Sequence, residues 1–110
     1  MTSLPLIYIS GPFSHPDPVH GTQENILKAS RVSLECCKAG WAVFCPHKNT
    51  SGFQHVRDVP YQFWMDMDIE ILSRCDAMLL IEGWANSPGA SREFKFAQAH
   101  GIPFFFVRDG

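Results

Sequence analysis

Apolar residues gather in four short runs, Leu4–Ser10, Trp41–Cys45, Asp76–Glu82 and Pro103–Val107, separated by stretches whose apolar positions recur every three to four residues. A continuous apolar run of four to eight residues bounded by turn formers is the signature of a strand buried on both faces. The intervening periodicity predicts three helices. The first is expected to be capped by Thr22, to bury Ile26, Ala29, Ser33, Cys36 and Cys37, and to end at Gly40; the second opens at Pro60 and runs to about Arg74; the third spans Gly89 to His100 and stops at Gly101. Strands alternating with helices imply right-handed crossovers, and therefore one domain over residues 1–110 with a four-stranded parallel sheet of order 2-1-3-4. In such sheets ligands bind beyond the C-terminal ends of the strands, where the loops after Ser10, Cys45 and Glu82 converge.

Composition narrows the function. The 110 residues are 45% hydrophobic and 18% charged with a net charge of −2, so no broad basic surface is expected for a nucleic acid polymer. Cys36, Cys37, Cys45 and Cys75 form no C-x-x-C pair, which favours reduced thiols over a zinc or disulfide framework. Met1 to Leu6 has no basic leader, and no apolar run reaches the ~20 residues of a membrane span, so a cytoplasmic protein is expected. His15, His20, His47, His55 and His100 share no ligand spacing, and no metal or other cofactor is expected. His47, in the loop after the second strand, is the histidine placed to touch a ligand; the alternative is an ordinary surface histidine.

Two carboxylates carry the candidate chemistry. On the second helix, at 100° per residue, Asp68 falls inside the apolar stripe of Trp64, Met67, Ile71, Leu72 and Cys75, while Asp66, Glu70 and Ser73 face outward. A carboxylate on an inner face must be hydrogen-bonded or line a cleft; a site, a loop-capping role or an ion pair with an arginine fits. Glu93 is expected in the first turn of the third helix, where the helix dipole favours its ionised form at neutral pH. The preceding Ser87-Pro88-Gly89-Ala90-Ser91 offers hydroxyls and backbone donors at a helix start. The alternative is a capping arrangement in which Glu93 reaches back to its own helix.

The run from Asp68 to Asp76, the strand to Trp84, then Asn86-Ser87-Pro88-Gly89-Ala90-Ser91-Arg92-Glu93, with Ala97, Ala99 and Gly101-Ile-Pro103, resembles the nucleoside 2-deoxyribosyltransferase superfamily. Ile7-Tyr8-Ile9-Ser10-Gly11-Pro12 is similar to the first strand and glycine turn of that family, and a branch of short bacterial and phage proteins is the nearest in pattern. The resemblance implies a three-layer flavodoxin-like (Rossmann-like) fold and a retaining attack on the C1′–N bond of a nucleoside or nucleoside 5′-monophosphate. It implies Glu93 as nucleophile, Asp68 near sugar and base, and Tyr8 positioning the nucleophile. Ser87 would contact the 5′ end, and Ser10, Gly11, His47, Asn49 and Gly89 are the further candidate substrate contacts. Two other readings stand beside it: a non-catalytic nucleotide-binding module, and an enzyme cleaving another N-glycoside such as a nicotinamide nucleotide. A homodimer or larger oligomer is expected, because Phe53, Trp64 and Trp84 exceed what so small a core needs.

Overall fold

Along the first strand successive side chains point to opposite faces of a sheet, so Ile7 and Ile9 enter one core while Leu6 and Tyr8 enter another. The computed structural model describes residues 3–12, 20–46 and 58–107. In chain order the elements are β1 (Leu6–Ser10), α1 (His20–Lys38), β2 (Ala42–Phe44), α2 (Tyr61–Leu72), β3 (Ala77–Leu80), a short 3-10 turn (Trp84–Asn86), α3 (Pro88–Ala99) and β4 (Phe104–Phe106). All strand pairs are parallel and the order is β2-β1-β3-β4, as the alternation of strands and helices requires. Asp76 ties the start of the sheet: its carboxylate accepts from Leu6 N at 2.8 Å and its own N–H donates to Leu6 O at 2.8 Å.

The two faces of this sheet are covered unequally. On one, α1 packs Ala29, Val32 and Cys36 against Ile7, Ile9, Cys45, Ala77 and Ile81. On the other, α2 and α3 close over Tyr8, Met78 and Leu80 with Leu72, Ile69, Ala97 and Phe94. The result is a three-layer α/β sandwich. At the C-terminal edge β1 and β3 approach closely, since a Cβ on Gly11 would come within 3.0 Å of Ile81 Cβ. Gly83, at φ +92, then turns the chain over Pro12. That left-handed conformation suits glycine.

Several expectations need correction. The backbone of α1 begins at His20, so Thr22 lies within the helix and not at its cap; side-chain periodicity locates a helix but not its first residue. Cys37 is exposed, because Ala29, Val32 and Cys36 set the buried face and the next residue turns 100° away from it. Leu4 is 66% exposed and precedes the first strand. Trp64 and Trp84 are half-buried, and the Trp84 ring lies tilted against Phe94 and Phe106. Phe53 lies outside the described residues. No described helix is long and apolar enough to cross a membrane.

Candidate active site

The site begins with the alternation of β1. Tyr8 and Ser10, two residues apart, project from the same face of the strand, and both meet Glu93 of α3. The Tyr8 hydroxyl donates to Glu93 Oε2 at 2.6 Å and the Ser10 hydroxyl donates to Glu93 Oε1 at 2.7 Å. All three residues are buried. Both carboxylate oxygens are thus fixed by partners 85 and 83 residues away in sequence.

The placement of Glu93 differs from the expectation. Ser87 is the N-cap of α3, accepting from Ala90 N at 3.3 Å, and Pro88 is its first residue, so no acidic residue occupies the first turn. Glu93 is one turn further on. Its carboxylate reaches across to β1 and does not fold back on its own helix start, which removes the capping arrangement. Burial now outweighs any helix-end effect: it pushes the Glu93 carboxyl from 4.5 up to about 7, with Asp68 adding to the rise and the Tyr8 and Ser10 donors opposing it. Glu93 therefore titrates near neutrality. Burial first, then the neighbouring carboxylates, hold the Tyr8 phenol well above its ordinary value, so Tyr8 stays a donor.

Asp68 sits on the inner face of α2 as its periodicity requires. It is half-buried, and its Oδ1 is buried without a hydrogen-bond partner among the described residues. Desolvation raises its carboxyl to about 6. An orphaned buried acceptor is costly in a finished core and is commonly the mark of a site awaiting a donor. Asp68 also lies close enough to Glu93 and Tyr8 to raise both electrostatically.

The remaining candidates divide. Gly11 and Ser87 lie at the C-terminal edge of the sheet, Ser87 half-buried with its hydroxyl engaged as a cap. Gly89 faces Met65, and a methyl group in place of its hydrogen would stand 3.7 Å from Met65 Cε, an ordinary contact, so crowding does not force glycine there. Ser10 is 1% exposed and committed to Glu93, a better fit to positioning the carboxylate than to touching substrate. His47 and Asn49 lie outside the described residues. His100 caps the far end of α3 and stacks on Phe96, away from the carboxylates in sequence and in the helix. No group of three potential metal ligands converges among the described residues.

Two features were not anticipated. The Ser10–Glu93 bond could have been found from the period-2 rule, once Tyr8 was assigned to Glu93. The second is a brace between α2 and α3, in which Arg92 donates to Asp66 Oδ1 at 3.0 Å while Gln62 donates to the same oxygen at 2.8 Å. It fixes the helix carrying Asp68 against the helix carrying Glu93. Nothing in the local sequence links residues 26 positions apart.

The family model described as Domain of unknown function (DUF4406) matches residues 5–106. No curated protein matches. Among solved structures, a 2-deoxyribosyltransferase from the psychrotolerant bacterium Bacillus psychrosaccharolyticus is similar with a TM-score of 0.64 and 20% identity, over 92% of this chain and 70% of that one. At that identity the likeness is one of fold.

Proposed function

The chain belongs to the DUF4406 family and has the fold of a nucleoside deoxyribosyltransferase, and we propose that it cleaves the N-glycosidic bond of a nucleoside or nucleoside 5′-monophosphate with Glu93 as nucleophile. A Glu93 oxygen attacks C1′ of the sugar as the C1′–N bond breaks, its electron pair leaving with the base. The departing base takes up a proton from solvent, and Asp68, whose carboxyl titrates at about 6 and so ionises before Glu93 at about 7, orients the sugar or base as an acceptor. A glycosyl ester on Glu93 remains. Attack on C1′ by water then releases the sugar or its 5′-phosphate, whereas attack by a second base yields a new nucleoside or nucleotide, and either step frees the carboxylate with retained configuration.

One observation carries this reading: a buried carboxylate, gripped through both oxygens by Tyr8 and Ser10, stands beside a second carboxylate with an oxygen that has no partner among the described residues. A nucleophile must be held in one orientation and kept dry enough to react; the two hydroxyls supply the first and the burial of Glu93 the second. The Asp68 oxygen suits a sugar hydroxyl or a base N–H. Gly11, His47, Asn49, Ser87 and Gly89 are the proposed substrate contacts around them. Four free cysteines suit the reducing cytoplasm, and self-association is part of the same proposal.

The test is incubation with a panel of nucleosides, 5′-monophosphates and nicotinamide nucleotides, followed by chromatography. Release of a free base, lost in Glu93→Gln, is the expected result. Binding without base release would establish a non-catalytic nucleotide-binding module instead, and release only of nicotinamide would move the substrate class.

A further inference from the structure

Asp68 and Glu93 stand on different helices, so their spacing depends on how α2 is held against α3. The apolar core beneath takes Ile69 and Leu72 from α2 and Phe94 and Ala97 from α3. Toward the C-terminal edge of the sheet the seam thins, because α3 presents Gly89 to Met65, with only a hydrogen where a methyl would stand 3.7 Å from Met65 Cε. The brace from Arg92 to Asp66 lies between these levels. Asp66 is two residues from Asp68 and Arg92 one residue from Glu93, about 3 Å and 1.5 Å along their helix axes. At 100° per residue Asp66 points to nearly the opposite side of α2 from Asp68. The brace is therefore outside the seam, its Asp66 and Arg92 side chains 60% and 40% exposed, and the two carboxylates are inside at the same height.

We propose that Asp66 and Arg92 are positioning residues, whose brace holds Asp68 at a fixed distance from Glu93 so that both carboxylates meet one substrate in register. What the alignment serves rests on the proposed reaction; the alignment itself is a property of the unliganded chain. Gln62, one turn before Asp66, donates to the same Oδ1 at 2.8 Å and so orients the carboxylate that Arg92 reaches at 3.0 Å. The Gln62 bond first, then that of Arg92, holds the Asp66 carboxyl below its ordinary value, so Asp66 is ionised throughout the range in which Glu93 titrates. For stability such a device is superfluous, since an exposed ion pair contributes little and the apolar core already joins the helices. For a reaction it matters, because a displacement of about 1 Å at a reacting centre can cost about 100-fold in rate. Arg92 also acts on Glu93 directly through its charge. Burial sets the Glu93 carboxyl first; Tyr8 and Ser10 of β1 lower it, Asp68 of α2 raises it, and Arg92 on its own helix lowers it. The direct effect and the positioning effect differ in sign. Through charge alone, removing Asp66 and removing Arg92 move the Glu93 titration in opposite directions. Through the seam, either removal lets the two carboxylates separate and take up water, and both move it down toward the ordinary carboxylate range.

Carbon-13 NMR of the side-chain carboxyls, followed against pH in the unliganded chain, tests it without substrate. Asp66→Ala and Arg92→Met, which keep good helix formers at both positions, should each lower the midpoint of Glu93 by at least about 0.5 in pH, with the melting temperature at pH 8 little changed. At the same pH, where Glu93 is ionised, each variant should lose about tenfold in kcat for base release. The exchange that combines Asp66→Arg with Arg92→Asp rebuilds the pair with its charges reversed, and should recover most of that loss. Opposite shifts of Glu93 in the two single variants, no shift in either, or an exchange that leaves kcat at the level of the single variants would each overturn the proposal. A wild type that releases no base would sink the proposed reaction, and the Glu93 titration in the two variants would then decide the brace by itself.

Discussion

The two faces of the central sheet use the same strands for different ends. Toward α2 and α3, β1 sends Tyr8 and Ser10, and the core around them contains a polar cluster in which each Glu93 oxygen accepts a hydrogen bond while Asp68 Oδ1 has no partner among the described residues. Toward α1 the same strand sends Ile7 and Ile9 into a wholly apolar core, and the unfinished part of that face is apolar too. Incomplete polar burial is what a reacting or binding site requires, because a substrate can supply the missing donor. Incomplete apolar burial supplies a driving force for association without chemistry. Alternation along five residues of one strand is enough to keep the two separate.

The largest expected effect lies on the polar face. Glu93→Gln should lower base release by at least about a thousandfold, since an amide does not readily form the glycosyl ester, while at pH 8 the variant should melt no lower than the wild type. Full activity with a depressed melting temperature would assign Glu93 to stability alone. Next come its two donors. Tyr8→Phe should cost about 10- to 100-fold in kcat and Ser10→Ala about tenfold, the range expected for losing a hydrogen bond to a charged group. Each should also move the acid limb of the rate profile to higher pH, because a donor to the ionised carboxylate favours that form. In the wild type that limb should fall as pH drops through about 7, the value to which burial lifts Glu93. An unshifted limb in both variants would mean that the hydroxyls do not tune the carboxyl.

The same titration has a consequence for stability, with a definite sign. The folded carboxyl of Glu93 binds its proton more tightly than the unfolded one, 4.5 becoming about 7. The folded state therefore holds more protons between these values, and stability falls as pH rises from about 4.5 to 7. Fully realised, this amounts to about 3 kcal/mol. Denaturant unfolding of wild type and Glu93→Gln across that window should show the wild type losing ground to the variant. Parallel curves would remove the buried charge as the cause.

The smallest effect falls between Tyr8 and Ser10. Ile9→Val, on the apolar face, should cost about 0.5–1.5 kcal/mol of stability and leave turnover unchanged. Loss of activity without loss of stability there would break the separation of the faces.

Much of this was readable from local pattern. Short apolar runs and 3.6-residue periodicity locate the four strands and three α-helices among the described residues, and the crossover rule supplies the sheet order. Asp68 was placed on the inner face of α2 because one misplaced carboxylate in an apolar stripe is visible at helical spacing. The sequence neighbours of Glu93 single it out but not its environment, because Ser87 and Pro88 start the helix before Gly89 and leave Glu93 beyond the first turn.

What the sequence alone determined was therefore which residues are inside and along which element, since side-chain direction repeats with backbone geometry over a few residues. Only the tertiary structure decided what those residues meet. The partners of Glu93 stand more than 80 positions away, the brace from Arg92 to Asp66 spans 26, and an apolar groove beside α1 exists because β3 and β4 extend past the single helix on that face. Desolvation depends on the atoms packed around a group from every direction. The charge state of Glu93 is accordingly a property of the folded sheet and its two covering helices.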